Sequence, residues 1–392
     1  MARTTQTHPT TTAPAALCVA LELSKNTWKL GMALNRIQKP RIRDVAARDT
    51  DGLLAELEAA KARFGLPADA AVKTCYEAGR DGFWIHRFLE ANGIENVIVD
   101  SASIEVDRRK RRAKTDRIDA QKLAILLARH HDGEEVFRIV RVPPLEAECE
   151  RLHPRQLKSI RKTRTRISNQ IGSLLFQHGV DLNPRKGSFK DKTFLKELMR
   201  ARQWDGSRLP KALLDQVRLL WQQFALFTRQ LKQLEHKQRQ VLREARRGAP
   251  TATVAQQKAA LLTRLHGIGD TGSYTLATEF FGWREFRNRG QVGALAGLTG
   301  TPHQSGGGGR DQGISKAGNP RVRVLMVELA WLWLRFQPES SLTKWFHEHT
   351  GRGGSRSRRK AIVAVARKLL IQLWHFVEHG VIPEGAVLQE AA

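Results

Sequence analysis

Cysteine is scarce in this chain: Cys18, Cys75 and Cys149 are three in 392 residues, far apart and outside any CxxC pair. That excludes a disulfide framework and a zinc ribbon, and it fits a protein kept in a reducing cytoplasm. Long apolar runs are missing too. No stretch approaches the roughly 20 residues of a membrane span, so no membrane partner is expected. Residues 1–16, rich in Thr, Pro and Ala, lack the apolar segment of a secretory signal and read as a disordered, soluble N-terminus. Acids are the third shortage: 39 Asp and Glu stand against 66 Lys and Arg, a formal charge of +27, with a pI near 10.8. So large a surplus expects a polyanionic partner. An apolar fraction of 41% allows a sizeable core and argues for two or three domains rather than disorder.

Residues 17–142 carry the pattern of an α/β domain. Leu17 to Leu23 is a nearly continuous apolar run of strand length, Ser24-Lys25-Asn26 is a turn, and Thr27 to Leu34 is a second strand, which makes a hairpin. A third strand is expected at Arg41 to Ala46, a helix from Gly52 to Phe64, a strand from Ala71 to Glu77, a helix from Gly82 to Asn92, and a strand at Val97 to Asp100. The basic run Arg108, Arg109, Lys110, Arg111, Arg112 and Lys114 then leads into a helix opened by Asp116 and Asp119. The order β-β-β-α-β-α-β-α is that of an RNase H-like fold.

Asp116 and Asp119, at i and i+3, lie on one helix face about a turn apart, where the positive helix terminus tolerates anions. Taken alone they are an N-terminal acid pair favourable to the dipole. Glu22 lies inside an apolar strand, where a lone carboxylate is costly to bury, and Glu77 ends another. Four converging carboxylates repel one another unless divalent cations sit between them. Hard oxygen ligands select Mg²⁺, with Mn²⁺ acceptable, and two such ions clamp the attacking and leaving oxygens of a phosphodiester.

Residues 143–250 change to long charged helices. Leu157, Ile160, Ile167, Ile171 and Leu174 keep a 3/4 spacing broken by Arg164, and Leu213 through Leu234 keep it for about three heptads. A coiled-coil arm is expected, as an antiparallel hairpin or a dimerisation element, with the turn between Gly179 and Pro210. Residues 251–385 read as a mainly helical domain, and 386–392 as a tail. Around Gly267-Ile268-Gly269 the pattern is helix-hairpin-helix-like, and Gly267 and Gly269 can let backbone amides approach a phosphate; a plain tight turn is the competing reading. Ser305 stands beside a glycine run, followed by Arg310, Lys316 and Arg321, which could neutralise a phosphoryl transition state. Ser305 is thus a candidate nucleophile, although a Ser-Gly run also describes a linker. Pro320 starts a helix whose expected buried stripe is Leu325, Leu329, Leu332 and Phe336.

The strand bearing Glu22, Cys75-Tyr76-Glu77-Ala78-Gly79, Ala113 to Ala120, Gln304-Ser305-Gly306 and Gly313 to Asn319 occur in an order and spacing that resembles the DEDD-type insertion-sequence transposases, relatives of the Piv pilin-gene invertases. The resemblance covers about residues 17–385. It implies a RuvC-like N-terminal domain, a coiled-coil arm, a C-terminal domain whose catalytic serine falls on Ser305, and a composite site with acids and serine from different protomers. It also implies a homo-oligomer, dimer or tetramer, and a structured bridge RNA that pairs with donor and target DNA. One departure is visible: the family more often has Asp where this chain has Glu22, whose carboxylate reaches roughly an ångström further. The function expected is excision and insertion of a mobile element in the cytoplasm, at the nucleoid. A junction-resolving nuclease using metal-activated water and a non-enzymatic coiled-coil nucleic-acid-binding protein are the two competing readings.

Overall fold

The alternating apolar residues of the first strands build one sheet, seen in a computed structural model that describes residues 16–104, 115–184, 191–305, 308–351 and 353–389. The chain divides into two units, Met1–Val142 and Pro143–Ala392. In the first, β1 (Leu17–Glu22), β2 (Thr27–Ala33), β3 (Arg41–Ala46), α1 (Thr50–Arg63), β4 (Val72–Glu77), α2 (Trp84–Ala91), β5 (Glu95–Val99) and α3 (Asp116–His131) follow in the expected order. The sheet runs β3-β2-β1-β4-β5. The β1–β2 and β2–β3 pairs are antiparallel, and the β1–β4 and β4–β5 pairs are parallel.

Because side chains alternate along a strand, each face of the sheet has its own cover. Leu17, Val19, Leu21, Tyr76 and Ile98 pack with Leu53, Leu57, Ile85 and Leu89 of α1 and α2. Cys18, Ala20, Cys75 and Val99 pack on the other face with Leu123, Ala124 and Leu127 of α3. Small residues on that face let α3 come close. At Gly31 of β2 a Cβ would stand 2.3 Å from the backbone oxygen of Ala120. Cys18 and Cys75 lie buried in this seam, and the three cysteines are free thiols.

In the second unit, α4 (Leu145–Glu150) precedes α5 (Leu152–Phe176), and α6 (Asp191–Arg200) precedes α7 (Lys211–Arg246). Leu157 and Ile160 meet Leu231, whereas Ile167, Ile171 and Leu175 meet the stretch from Leu213 to Phe224, so α5 and α7 run in opposite directions. Arg164, which breaks the apolar spacing, places its guanidinium 6.0 Å above the ring of Phe224. The connection expected to be only a turn holds α6, whose Phe194 stacks on Trp221 at 4.1 Å.

There follow α8 (Val254–Leu262), α9 (Asp270–Leu276), a π turn at Ala277–Phe281, α10 (Arg289–Leu295), the hairpin β6 (Gly300–Ser305) and β7 (Gly308–Ile314), α11 (Pro320–Phe336), α12 (Ser341–Thr350) and α13 (Ser355–His379). On α13 Ile362, Ala366, Leu369, Leu373 and Phe376 are buried, and Gly380, at φ 71°, ends the helix. On α11 the stripe differs. Val322, Met326, Leu329, Ala330 and Trp333 are buried, while Leu332 and Phe336 remain 39% and 36% exposed. The buried hydrogen bond from Trp333 Nε1 to Ser340 Oγ fixes the rotation, since an indole N–H inside a core needs an acceptor.

The π turn buries the carboxylate of Glu279, whose side chain is 0% exposed. Arg155 of α5 grips it with a two-pronged bond, Nε to Oε1 at 2.6 Å and Nη2 to Oε2 at 2.9 Å. Asn319, the N-cap of α11, donates to Oε2 at 3.3 Å, and Arg321 stands 3.9 Å away. Burial pushes this carboxyl up, but Arg155 and then Asn319 and Arg321 bring it net below its ordinary value.

Gly31→Ala drives a methyl into the backbone of α3 and is expected to cost about 1–3 kcal/mol in denaturant unfolding. Gly79→Ala, whose new methyl would have its nearest neighbour at 3.7 Å, leaves stability unchanged. Glu279→Ala is expected to cost about 3 kcal/mol, near the lower bound for breaking a buried pair, because Arg155 is 35% exposed and can turn to water. Arg155→Ala costs more, because it strands the buried carboxylate. With its folded value depressed, Glu279 contributes stability that is fully present above the ordinary 4.5 and lost as pH falls through the folded value. Acid titration of unfolding stability should therefore be shallower below pH 4.5 in Glu279→Gln than in the parent.

Candidate active site

Leu21 of β1 lies in register with Tyr76 of β4. The next residue on each parallel strand is therefore an acid, Glu22 and Glu77, at adjacent strand ends. Strand parity places both with Cys18, Ala20 and Cys75, on the face that α3 covers. They line one cleft of about 420 Å³ together with Ser24, Lys25, Arg80 and Asp81. Glu22 is half-buried and Glu77 exposed. Lys29 lies opposite Glu22 across the β1–β2 pair, with its ammonium on Asp44 at 2.9 Å. Asp81 pairs with Arg80 at 3.5 Å.

Asp116 and Asp119 open α3, where Thr115 accepts the amide of Ile118 at 3.3 Å as N-cap. Both are exposed. The contact of Ala120 with Gly31 brings the residue after Asp119 onto the same sheet face. The structure thus puts all four acids on one side of the sheet but brings only Glu22 and Glu77 into one cleft. Among the described residues no three His, Cys, Asp or Glu side chains stand close enough together to hold a metal ion. The cleft's donor chemistry nevertheless fits a hard cation. Its lining offers carboxylates and neither thiolate nor imidazole, and Mg²⁺ commonly binds through one or two carboxylates, completing its shell with water and substrate phosphates.

The basic run from Arg108 to Lys114, with Arg109, Lys110, Arg111 and Arg112, lies outside the described residues. Ser305 is the last residue of β6, paired through its backbone register with Gly308. The glycine run after it, read as loop or linker from sequence, enters β7. The side chains of Ser305 and Arg310 are outside the described part.

Lys316 is exposed and holds a positive φ of 56°. Its amide donates to the Gly297 carbonyl at 3.2 Å, and its own carbonyl accepts from Arg323 at 2.9 Å. Arg321, in the first turn of α11, faces Glu279. Gly267 has φ 91°, and a Cβ there would meet that of Phe336 at 3.0 Å, so its lack of a side chain serves packing against α11. Gly269 has open space around it and caps α9.

Two acids escaped the sequence reading. Glu279 was signalled by its place among Leu276, Ala277, Phe280 and Phe281, an acid within an apolar run. Asp100 directly follows β5, and it caps a short turn by accepting the amide of Ala102 at 3.1 Å.

Comparison with known proteins bears on the whole chain. Residues 259–345 match the family described as Transposase IS116/IS110/IS902 family. The protein named Putative transposase y4rJ, from Sinorhizobium fredii (strain NBRC 101917 / NGR234), is 41% identical over 383 residues, covering 95% of each chain. A second from the same organism, Putative transposase y4qE, is 28% identical over 272 residues, covering 69% of this chain and 61% of its own. With the matched segment spanning α9 through the Ser305 hairpin to α12, and the first likeness running nearly end to end, this chain belongs to the IS116/IS110/IS902 family of transposases.

Proposed function

We propose that this transposase excises and inserts a mobile element by a serine-mediated strand transfer supported by a carboxylate-held divalent cation. The observation that carries the reading is the pair Glu22 and Glu77, set at the ends of adjacent parallel strands, on one sheet face, in one cleft. The sheet order, with an antiparallel β3-β2-β1 half and a parallel β1-β4-β5 half, supports an RNase H-like, RuvC-like reading of the first unit.

Glu22 and Glu77, joined by Asp116 and Asp119 from the start of α3, would hold Mg²⁺ or Mn²⁺. Bound there, the cation supplies neutralising charge at the scissile phosphate. Ser305 Oγ forms a bond to phosphorus as the bond to the leaving sugar oxygen breaks. The serine proton is released, and the leaving oxygen takes up a proton to become a strand-end hydroxyl. The phosphoserine linkage conserves the bond for rejoining, when a strand-end hydroxyl attacks and Ser305 is regenerated. Arg310, Lys316 and Arg321 stand close in sequence to the nucleophile and offer charge to the phosphate. The acids and the serine act from different protomers, in a homo-oligomer assembled through α5 and α7. A structured guide RNA selects the DNA by base pairing, while the protein's positive surface holds backbones. The setting is the cytoplasm.

With element-end DNA, the flanking noncoding RNA and Mg²⁺, the parent protein is expected to give a protein-linked DNA strand on denaturing gels. Ser305→Ala, Glu77→Gln and Asp119→Asn each lose it by at least about a thousandfold, and chelator abolishes it until Mn²⁺ is added. Scission that persists in Ser305→Ala without adduct would show water as the nucleophile. Mixing inactive Ser305→Ala with inactive Glu77→Gln is expected to restore adduct, on the Glu77→Gln polypeptide; no recovery would mean that each protomer supplies both its own serine and its own acids.

A further inference from the structure

A larger cleft of about 820 Å³ lies in the second unit, away from the Ser305 hairpin in sequence, where the end of α7 meets α8 and the turn after it. Its rim carries Arg243 and Arg246 from the last turn of α7, Arg247 from its C-cap and Arg264 from the turn after α8, with no acid in its lining. Arg246 is held in place, donating to Asp270 at 2.8 Å and to Thr263 at 3.2 Å. Among the described residues, Arg243, Arg247 and Arg264 have neither an ion pair nor a side-chain hydrogen bond. The floor is apolar, with Ala260 and Leu261, and Gln257 and Gln389 add amide groups.

Basic residues at a helix C-terminus are favourable in themselves, because they face the negative end of the helix dipole. That accounts for Arg243, Arg246 and Arg247 one at a time. It does not account for Arg264, which comes from a separate element and turns the same way. Nor does it account for three guanidinium groups without an ion pair of their own around one concavity whose lining holds no acid. Arg243 and Arg247 are a turn apart on one helix face, so the charge repeats along the rim. Repeated, unpaired guanidinium groups match a chain of phosphodiesters, each able to accept two bonds from a guanidinium fork.

We propose that this cleft holds a nucleic-acid backbone, through Arg243, Arg247 and Arg264, at a distance in sequence from the catalytic serine. The proposal builds on the transposase reading but asks for binding, not strand transfer. Phosphodiesters of the element DNA and of the guide RNA share this chemistry, and the experiment separates them.

The full-length protein in the Ser305→Ala background, so that binding is read without turnover, would be titrated with labelled element-end duplex and, separately, with the noncoding RNA. Fluorescence anisotropy across a potassium chloride series gives the slope of log affinity against log salt. Replacing Arg243, Arg247 and Arg264 together by Gln is expected to weaken one of the two ligands at least tenfold. Its slope should flatten by about 0.9 for each duplex phosphate no longer neutralised, or about 0.7 for each phosphate of a single strand. The ligand whose slope changes is the occupant. Replacing the same three by Lys keeps the slope, and circular dichroism checks that each variant is folded. The proposal is overturned if both slopes stay unchanged, or if removing Arg356, Arg358 and Lys360 from the start of α13 flattens them equally, since bulk charge would then suffice. Adduct formation by the parent with unchanged slopes would reject the cleft alone. Strong binding through the cleft without adduct would reject the serine chemistry alone.

Discussion

A carboxylate with no access to water must find a cation, and in the second unit that requirement joins segments far apart in sequence. Glu279 sits in the π turn at Ala277–Phe281, Arg155 on α5 and Asn319 at the cap of α11. A π turn adds a residue to the helical repeat, and here it lets five consecutive residues be buried together. The carboxylate's bonds therefore set where α5 passes the C-terminal helices. They also fix the first residue after the serine hairpin's return segment, since Asn319 both caps α11 and donates to Glu279. Such a pair brings little net stability compared with an apolar substitute, but it admits one arrangement of three segments and penalises others.

The first unit is governed by size rather than charge. Its α3 approaches the sheet because Ala20, Gly31 and Ala33 leave room, and Ala120 and Ala124 do the same from the helix side. The face that is shallow enough to admit the helix is also the face on which Glu22 and Glu77 end their strands. Packing and the placing of the two acids share one geometric cause, the alternation of side chains along β1 and β4.

The strands and most helices of the first unit were legible because half-buried strands alternate and buried ones run apolar, and the turn at Ser24 breaks the run. The sequence named Glu22 and Glu77 as candidates, and the parallel β1–β4 register is what sets them side by side. What sequence could not give was the rotation of α11: Leu325, Leu329, Leu332 and Phe336 make as good a stripe as the buried one, and the choice rests on Trp333 finding Ser340. Nor could it show Glu279 as a node, since a partner 124 residues away leaves no local trace. The helix α6 was hidden because the turn signals between Gly179 and Pro210, Asn183-Pro184 and Asp205-Gly206, lie on its flanks. The resemblance to a transposase family came from order and spacing over the whole chain, for no single motif is specific.

Cys18 and Cys75 sit in the α3 seam, and burial pushes both thiols up, Cys18 to about 11. Thiol reagents attack the thiolate, so these two are chemically silent while the seam is closed. Exposed Cys149 offers the contrasting fast site. The protein thus carries its own clock for local opening: slow alkylation at Cys18 and Cys75 counts the moments when α3 lifts from the sheet and carries Asp116 and Asp119 away with it.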